Sequence, residues 1–287
     1  MSIDHYENFP VASWLCPKKL RPAVVSLYRF ARAGDDLADE GAATATQRRA
    51  DLQAYREDLH RVFTGQPVSS RWIEVFEPLA QQVQSHQLPE GPLQDLISAF
   101  LQDVDNPSYP DRAALLDYCR RSANPVGRLL LHLYGAGTAR DLEQSDNICT
   151  ALQLINIWQD LSVDLERGRV YLPEQDMRHF DVPTDPGGSA KDGPQLRSLV
   201  QSLCLWSREL MESGAPLAWR LPGRLGWELR LVVQGGLRVL EKIEHMQHAT
   251  RHQRPVLIRW DLGVMAYRAW TMPRVAQARA RARARVG

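Results

Sequence analysis

Two acidic groupings in the 287-residue sequence have residue types and spacings suited to cation chemistry. The first is Ala31-Arg32-Ala33-Gly34-Asp35-Asp36-Leu37-Ala38-Asp39-Glu40. On a helix, Asp35 and Asp39 would share one face with Cβ atoms about 5–6 Å apart. Like charges at that spacing oppose each other unless a cation neutralises them. The second runs Gln153-Leu154-Ile155-Asn156-Ile157-Trp158-Gln159-Asp160-Leu161-Ser162-Val163-Asp164. Asp160 and Asp164 repeat the spacing, and Asn156 stands one turn earlier, giving an oxygen-bearing ridge. Ile155, Ile157 and Trp158 beside it are apolar enough for burial. Oxygen-only donors suit Mg²⁺ rather than zinc or copper, and Mg²⁺ keeps waters and is usually completed by phosphate oxygens. Two such ridges facing each other across a helical bundle would hold Mg²⁺ over a diphosphate. Spacing alone leaves open a second reading, acidic helix faces that are merely solvated.

Both groupings need helices, and apolar periodicity supplies them. Val24, Leu27, Tyr28, Ala31 and Gly34 predict a helix over 22–39; Leu52, Tyr55, Leu59 and Phe63 predict one over 46–63. Further helices are expected over 70–85, 92–104, 112–134, 145–164, 196–214 and 225–245, with a break at 105–110. Asn124-Pro125 falls inside the 112–134 pattern, where proline costs about 3 kcal/mol and predicts a kink. Packing is the plain role of that kink; a functional one would be to expose backbone carbonyls that orient a water or a cation. The Gly/Pro/Asp stretch 181–194 reads as a loop. Without period-two β-branched runs or internal repeats, the expectation is one all-α domain over 1–273 and a flexible basic tail over 274–287. Two helical units parted at 181–194 is the alternative.

With 44% hydrophobic and 24% charged residues the chain can build a core, which excludes a disordered or low-complexity protein. Thirty-five basic against thirty-four acidic residues leave no global field for nucleic acid. Cys16, Cys119, Cys149 and Cys204 form no CxxC or Cys/His pattern, so neither zinc nor redox chemistry is indicated. The first residues carry no signal-peptide pattern and no apolar run reaches the ~18 residues of a membrane span, so a cytoplasmic protein is expected. Arg279, Arg281, Arg283 and Arg285 alternate with alanine, which on a helix spreads charge to two sides. A solvated tail is therefore preferred over a transient membrane-surface contact. The eight tryptophans, Trp206, Trp219, Trp227, Trp260 and Trp270 among them, are expected to pack in the core rather than line a lipid-like cavity.

The pattern Tyr28-x-x-x-Arg32-x-x-Asp35-Asp36-x-x-Asp39, then Tyr118, Gln153-x-x-Asn156-x-x-Gln159-Asp160-x-x-x-Asp164 and Arg169-x-Tyr171 resembles the squalene and phytoene synthase family. The resemblance is strong over 4–173 and weaker over 208–243. Within the family, Glu7-Asn8-Phe9-Pro10-Val11-Ala12-Ser13, the 118–128 segment and Asn156-Ile157-Trp158-Gln159-Asp160 look most like the bacterial hydroxysqualene synthases of hopanoid biosynthesis. The resemblance implies an all-α isoprenoid-synthase bundle with a central cavity. It implies Mg²⁺–diphosphate positions at Asp35, Asp39, Asn156, Asp160 and Asp164, and substrate contacts at Tyr28, Arg32, Gln153 and Gln159. Tyr118 and Tyr171 would lie near the reacting carbons; without the resemblance they read as core tyrosines. Phytoene and dehydrosqualene synthases usually carry Arg where this chain has Gln159.

The implied reaction is Mg²⁺-dependent ionisation of presqualene diphosphate, with water capture of the carbocation to give hydroxysqualene. Coupling to neighbouring pathway enzymes goes with that reading. Asn124 and Gln159 bring neutral groups to positions the resemblance places at the cavity, where an amide could hold that water. The alternatives are head-to-head condensation of two prenyl diphosphates to squalene, dehydrosqualene or phytoene-type products, a terpene cyclase, and a non-catalytic helical interaction protein. The chain lacks the cyclases' usual second motif and keeps all four carboxylates.

Overall fold

The computed structural model describes residues 16–186 and 188–272. The segment Glu7–Ser13 and the tail 274–287, both read above, lie outside the described residues. Thirteen α-helices follow one another along the described chain: α1 (Arg21–Asp39), α2 (Ala45–Thr64), α3 (Ile73–His86), α4 (Glu90–Asp105), α5 (Arg112–Ser122), α6 (Asn124–Leu133), α7 (Ala139–Gln159), α8 (Leu161–Glu166), α9 (Glu174–His179), α10 (Pro194–Gly214), α11 (Leu217–Arg220), α12 (Gly223–His245) and α13 (Arg259–Thr271). Their ends follow local chemistry. Thr44 with Gln47 and Thr138 with Asp141 form capping boxes that satisfy the first amides of α2 and α7. Gly65 closes α2 in the left-handed conformation.

The expected helix over 112–134 is two helices. Pro125 can donate no amide bond, and the chain turns at Ala123. The expected helix over 145–164 starts earlier, at the Thr138 cap, and is interrupted at Asp160. The sequence reading did not anticipate α9, α11 or α13. The 181–194 loop holds one isolated antiparallel bridge, Thr184 to Ala190.

Two apolar cores divide the bundle. One joins α1 to α4 with α6, around Phe30, Tyr55 and Phe76, whose rings lie 4.6–6.0 Å apart. The buried Tyr55 hydroxyl donates to the Phe30 carbonyl at 2.9 Å, so the ring is held at no polar cost. The other core surrounds α7, which is apolar on most sides and correspondingly central. Trp158 is fully buried there, and its indole N–H donates to Ser207 Oγ at 2.9 Å, tying α7 to α10. Trp227, Trp260 and Trp270 do not pack in the core, contrary to expectation; Trp227 is exposed on α12, and Trp260 and Trp270 are exposed on α13. No described helix is long and apolar enough to cross a membrane.

Candidate active site

At 3.6 residues per turn, Tyr28, Arg32, Asp35 and Asp39 fall on one narrow face of α1. Gly34, inside this motif, lets α1 sit close to α4: a Cβ there would lie 2.5 Å from the Phe100 ring. Arg32 pairs with Asp36 at 2.6 Å, with Glu40 at 2.6 Å and with Asp35 at 3.4 Å. Asp39 is held from across the site by the Arg169 guanidinium, which follows α8.

The second ridge survives the break at Asp160. The Asp160 amide donates to the Asn156 carbonyl at 2.8 Å and the Asp164 amide to the Asp160 carbonyl at 2.9 Å, so helical phasing carries through. Gln153, Asn156 and Asp160 therefore share a face. Gln159 lies about a quarter-turn from the centre of that face and looks elsewhere. It is buried, and its amide donates to the Pro255 carbonyl at 2.6 Å. Arg254, next to Pro255, pairs with Asp160. Adjacent residues at the end of α7 thus pin the segment after α12, and a guanidinium from remote sequence meets the second motif. Asn124 is also buried; its Oδ1 accepts the Thr150 hydroxyl at 2.9 Å, joining the start of α6 to α7.

Sequence reasoning missed three residues here: Asp103, Tyr109 and Arg254. The Tyr109, Tyr118 and Tyr171 rings form a trio with centroids 5.7–5.9 Å apart. Tyr118 hydrogen-bonds Asp103, at the end of α4. Asp103 continues the buried Leu96–Ala99–Phe100 stripe by one turn, and that was the available signal: a carboxylate on a core-facing phase. Tyr109 stood in the 105–110 break, and nothing local distinguished Arg254.

Burial, followed by repulsion from Asp39, pushes the Asp35 carboxyl up to about 6. Asp164 rises to about 6 through burial and then Asp160, and Asp103 to about 7 mainly through burial. Burial also holds the Tyr118 and Tyr171 phenols above their ordinary value. The site is thus crowded with anionic oxygens at the margin of ionisation, and Arg32, Arg169 and Arg254 offset part of that charge. Among the described residues no three carboxylate, imidazole or thiol groups converge closely enough to hold a metal by themselves. The donor set fits Mg²⁺ ions that share their coordination between carboxylates, waters and a ligand's phosphates, rather than an all-protein cage. An open cleft of about 690 Å³ beside Arg112 and Asp176 is lined by none of these groups.

A sequence profile for squalene/phytoene synthase matches residues 4–261. The chain belongs to the squalene/phytoene synthase family. It is an enzyme of that family, so the non-catalytic and terpene-cyclase readings fall away. It is 33% identical over 230 residues to a hydroxysqualene synthase of Zymomonas mobilis, spanning 79% of this chain and 75% of that one. It is 30% identical over 203 residues to a presqualene diphosphate synthase of the same organism, spanning 70% and 67%. The crystal structure of squalene synthase HpnC from Alicyclobacillus acidocaldarius superposes with a TM-score of 0.77 at 36% identity, over 85% of this chain and 90% of that one. The bundle therefore has the isoprenoid-synthase fold of the squalene synthases. In this family member α1 brings together Tyr28, Arg32, Asp35 and Asp39, and Arg169 ties them to the segment after Asp164. Tyr118 and Tyr171 meet in the ring trio, while Gln159 and Asn124 are turned into neighbouring elements.

Proposed function

We propose that this enzyme converts presqualene diphosphate and water to hydroxysqualene and diphosphate with the help of Mg²⁺. The observation that carries the proposal is the meeting of Asp39 on α1 with Arg169 beyond the second carboxylate ridge, beside three packed tyrosine rings. Similarity to hydroxysqualene synthases supports the choice of substrate and product. Bound Mg²⁺, held by Asp35, Asp39, Asn156, Asp160 and Asp164, would stabilise charge on the leaving diphosphate oxygens. Tyr28 and Gln153, on the faces that carry the two ridges, contact the substrate. Arg32 and Arg169 add charge-assisted contacts to phosphate.

Breaking the carbon–oxygen bond leaves a carbocation on the isoprenoid. The faces of Tyr118 and Tyr171 stabilise it by about 1–2 kcal/mol when desolvated. Phenols are neutral near pH 7 even at their ordinary value, and burial raises both further, so the rings present π-faces and not nucleophilic phenolates to the cation. Asp103 fixes the Tyr118 hydroxyl. Water supplies the oxygen that bonds to the cationic carbon, and its proton passes to the released diphosphate. Asn124 and Gln159 act through position: Asn124 seats α6 on α7, and Gln159 holds the segment that brings Arg254 to Asp160. Arg254 thereby places a guanidinium against the first Asp of the second motif.

Incubating the protein with presqualene diphosphate and Mg²⁺ in H₂¹⁸O, without NADPH, should give an alcohol carrying the heavy oxygen. A hydrocarbon as sole product, or product formed only with NADPH, would overturn the proposal. Similarity to a presqualene diphosphate synthase favours a second reading, head-to-head condensation of two prenyl diphosphates. Turnover of farnesyl diphosphate alone would establish that reading instead.

A further inference from the structure

The connection between α4 and α5 lies against the segment 168–175, which carries Arg169 and Tyr171, and meets it repeatedly. Asn106 ends α4 in the left-handed conformation at φ 44°, a role that glycine or asparagine fills with little strain. Asparagine adds a side-chain amide, and here that amide donates to the Gly168 carbonyl at 2.9 Å. The Gly168 carbonyl and the Arg169 amide are the two ends of one planar peptide unit. Its amide end donates to the Asp164 carbonyl at 2.8 Å. The peptide from which the Arg169 side chain departs is thus fixed at both ends, by the second carboxylate ridge on one side and by Asn106 on the other.

Tyr109 does for Tyr171 what Asn106 does for Arg169. Its buried ring lies against the half-buried Tyr171 ring, with centroids 5.7 Å apart and planes 24° apart. The Tyr109 carbonyl accepts the Glu174 amide at 2.9 Å, and the Pro110 carbonyl accepts the Gln175 amide at 3.0 Å. The connection is itself braced. Gln102 donates to the Tyr109 hydroxyl at 3.3 Å and is held in turn by Arg121. Arg49 on α2 donates to Asp105 at 2.9 Å. Pro107 and Pro110 each fix φ, which leaves the backbone between Asn106 and Tyr109 little freedom.

We propose that Asn106 and Tyr109 are positioning residues for the reaction, Asn106 aiming Arg169 and Tyr109 seating Tyr171. The inference rests on the proposed roles of Arg169 at phosphate and of Tyr171 at the carbocation. Each residue acts through its neighbour, so the two have separate signatures. Asn106 governs the diphosphate end of the reaction, and Tyr109 governs the isoprenoid end. A connection that only stabilised the fold would give both changes one signature, a lower melting temperature with a smaller active fraction.

The test is a pair of double-mutant cycles on the full chain, with diphosphate release and products both measured. Asn106→Gly keeps the left-handed backbone and removes only the amide, and residue 106 is exposed, so the fold should be retained. It should lower kcat/KM by about threefold or more in wild type, and by less than about twofold once Arg169 is glutamine. Tyr109→Leu should lower kcat by about fivefold with KM little changed, and by the same factor whichever residue stands at 169. It should also shift the ratio of the products formed from the carbocation. Tyr109→Phe keeps the ring and should restore both kcat and that ratio. Tyr109→Met serves in place of leucine if the latter does not fold, since its flexible chain fills irregular space. An equal loss from Asn106→Gly with arginine or glutamine at 169 would overturn the proposal. So would a product ratio that neither Tyr109→Leu nor Tyr109→Met moves. Diphosphate release scores the cycles whichever product forms, so a wild type yielding only hydrocarbon would sink the proposed reaction and leave these outcomes readable.

Discussion

Replacing Arg169 by glutamine tests the central geometry, because this residue ties the two halves of the site together. Its side chain is 20% exposed and that of its partner Asp39 22%, so the pair is not a solvated surface contact. A charge-assisted hydrogen bond in such a setting contributes about 1.5–3 kcal/mol, against about 0–1 kcal/mol for an exposed pair. A loss near 2 kcal/mol in the bound transition state corresponds to a fall of roughly thirtyfold in kcat/KM, read as diphosphate release. A second consequence is sharper. The Arg169 charge pulls down the carboxyls of Asp35, Asp103 and Asp164. Removing it lets all three rise above their present values of about 6, 7 and 6. Carboxylates must be ionised to hold Mg²⁺, so the acidic limb of the pH–rate profile should move to higher pH. Arg169→Lys keeps the charge and loses the planar fork, so it should restore the limb better than the rate. An unchanged limb in Arg169→Gln, or one moved to lower pH, would refute the assignment of Arg169 as the cation that sets this site.

Single changes Asp35→Ala, Asp39→Ala, Asp160→Ala and Asp164→Ala should each remove most turnover while preserving the helical circular dichroism; full activity in EDTA or in Asp160→Ala would sink the metal clamp. The raised carboxyls of Asp35 and Asp164 favour the protonated folded state, so their stabilising contribution is complete below about pH 4 and lost as pH rises through about 6. The protein without Mg²⁺ should therefore lose melting temperature from about pH 4 to about pH 6 and level off above, and Asp35→Asn with Asp164→Asn should flatten that slope; an equally steep slope in the variant would count against it. Gly34→Ala places a methyl 2.5 Å from the Phe100 ring and should cost about 1–3 kcal/mol in chemical denaturation, with Phe100→Leu restoring part of it; a neutral Gly34→Ala would show that α1 and α4 can part freely.

The sequence alone determined what repeats along a single helix. Asp35 and Asp39, with Tyr28 and Arg32 on the same face, follow from a backbone period that is local and nearly independent of context. The break at Asn124-Pro125 was legible for the same reason, since proline's missing amide acts on its own turn. Contacts between remote segments were not legible. Arg254 reaches Asp160, and Arg169 reaches Asp39, only after helices have packed. Asp103 showed as one acid in an apolar phase, and the site around it exists only because Gly34 admits the Phe100 ring and Tyr118 arrives from α5. Gln159 sat beside the second motif in sequence, yet helical phase turned it to Pro255. The sequence reading did not anticipate α13, and nothing local showed which of its phases faces inward. Arg238, Lys242 and Glu241 on α12 decided that: they drew Asp261 and Arg268 inward, and Trp260 and Trp270 were left in water. Periodicity belongs to the chain's own backbone, whereas orientation belongs to whatever packs against it.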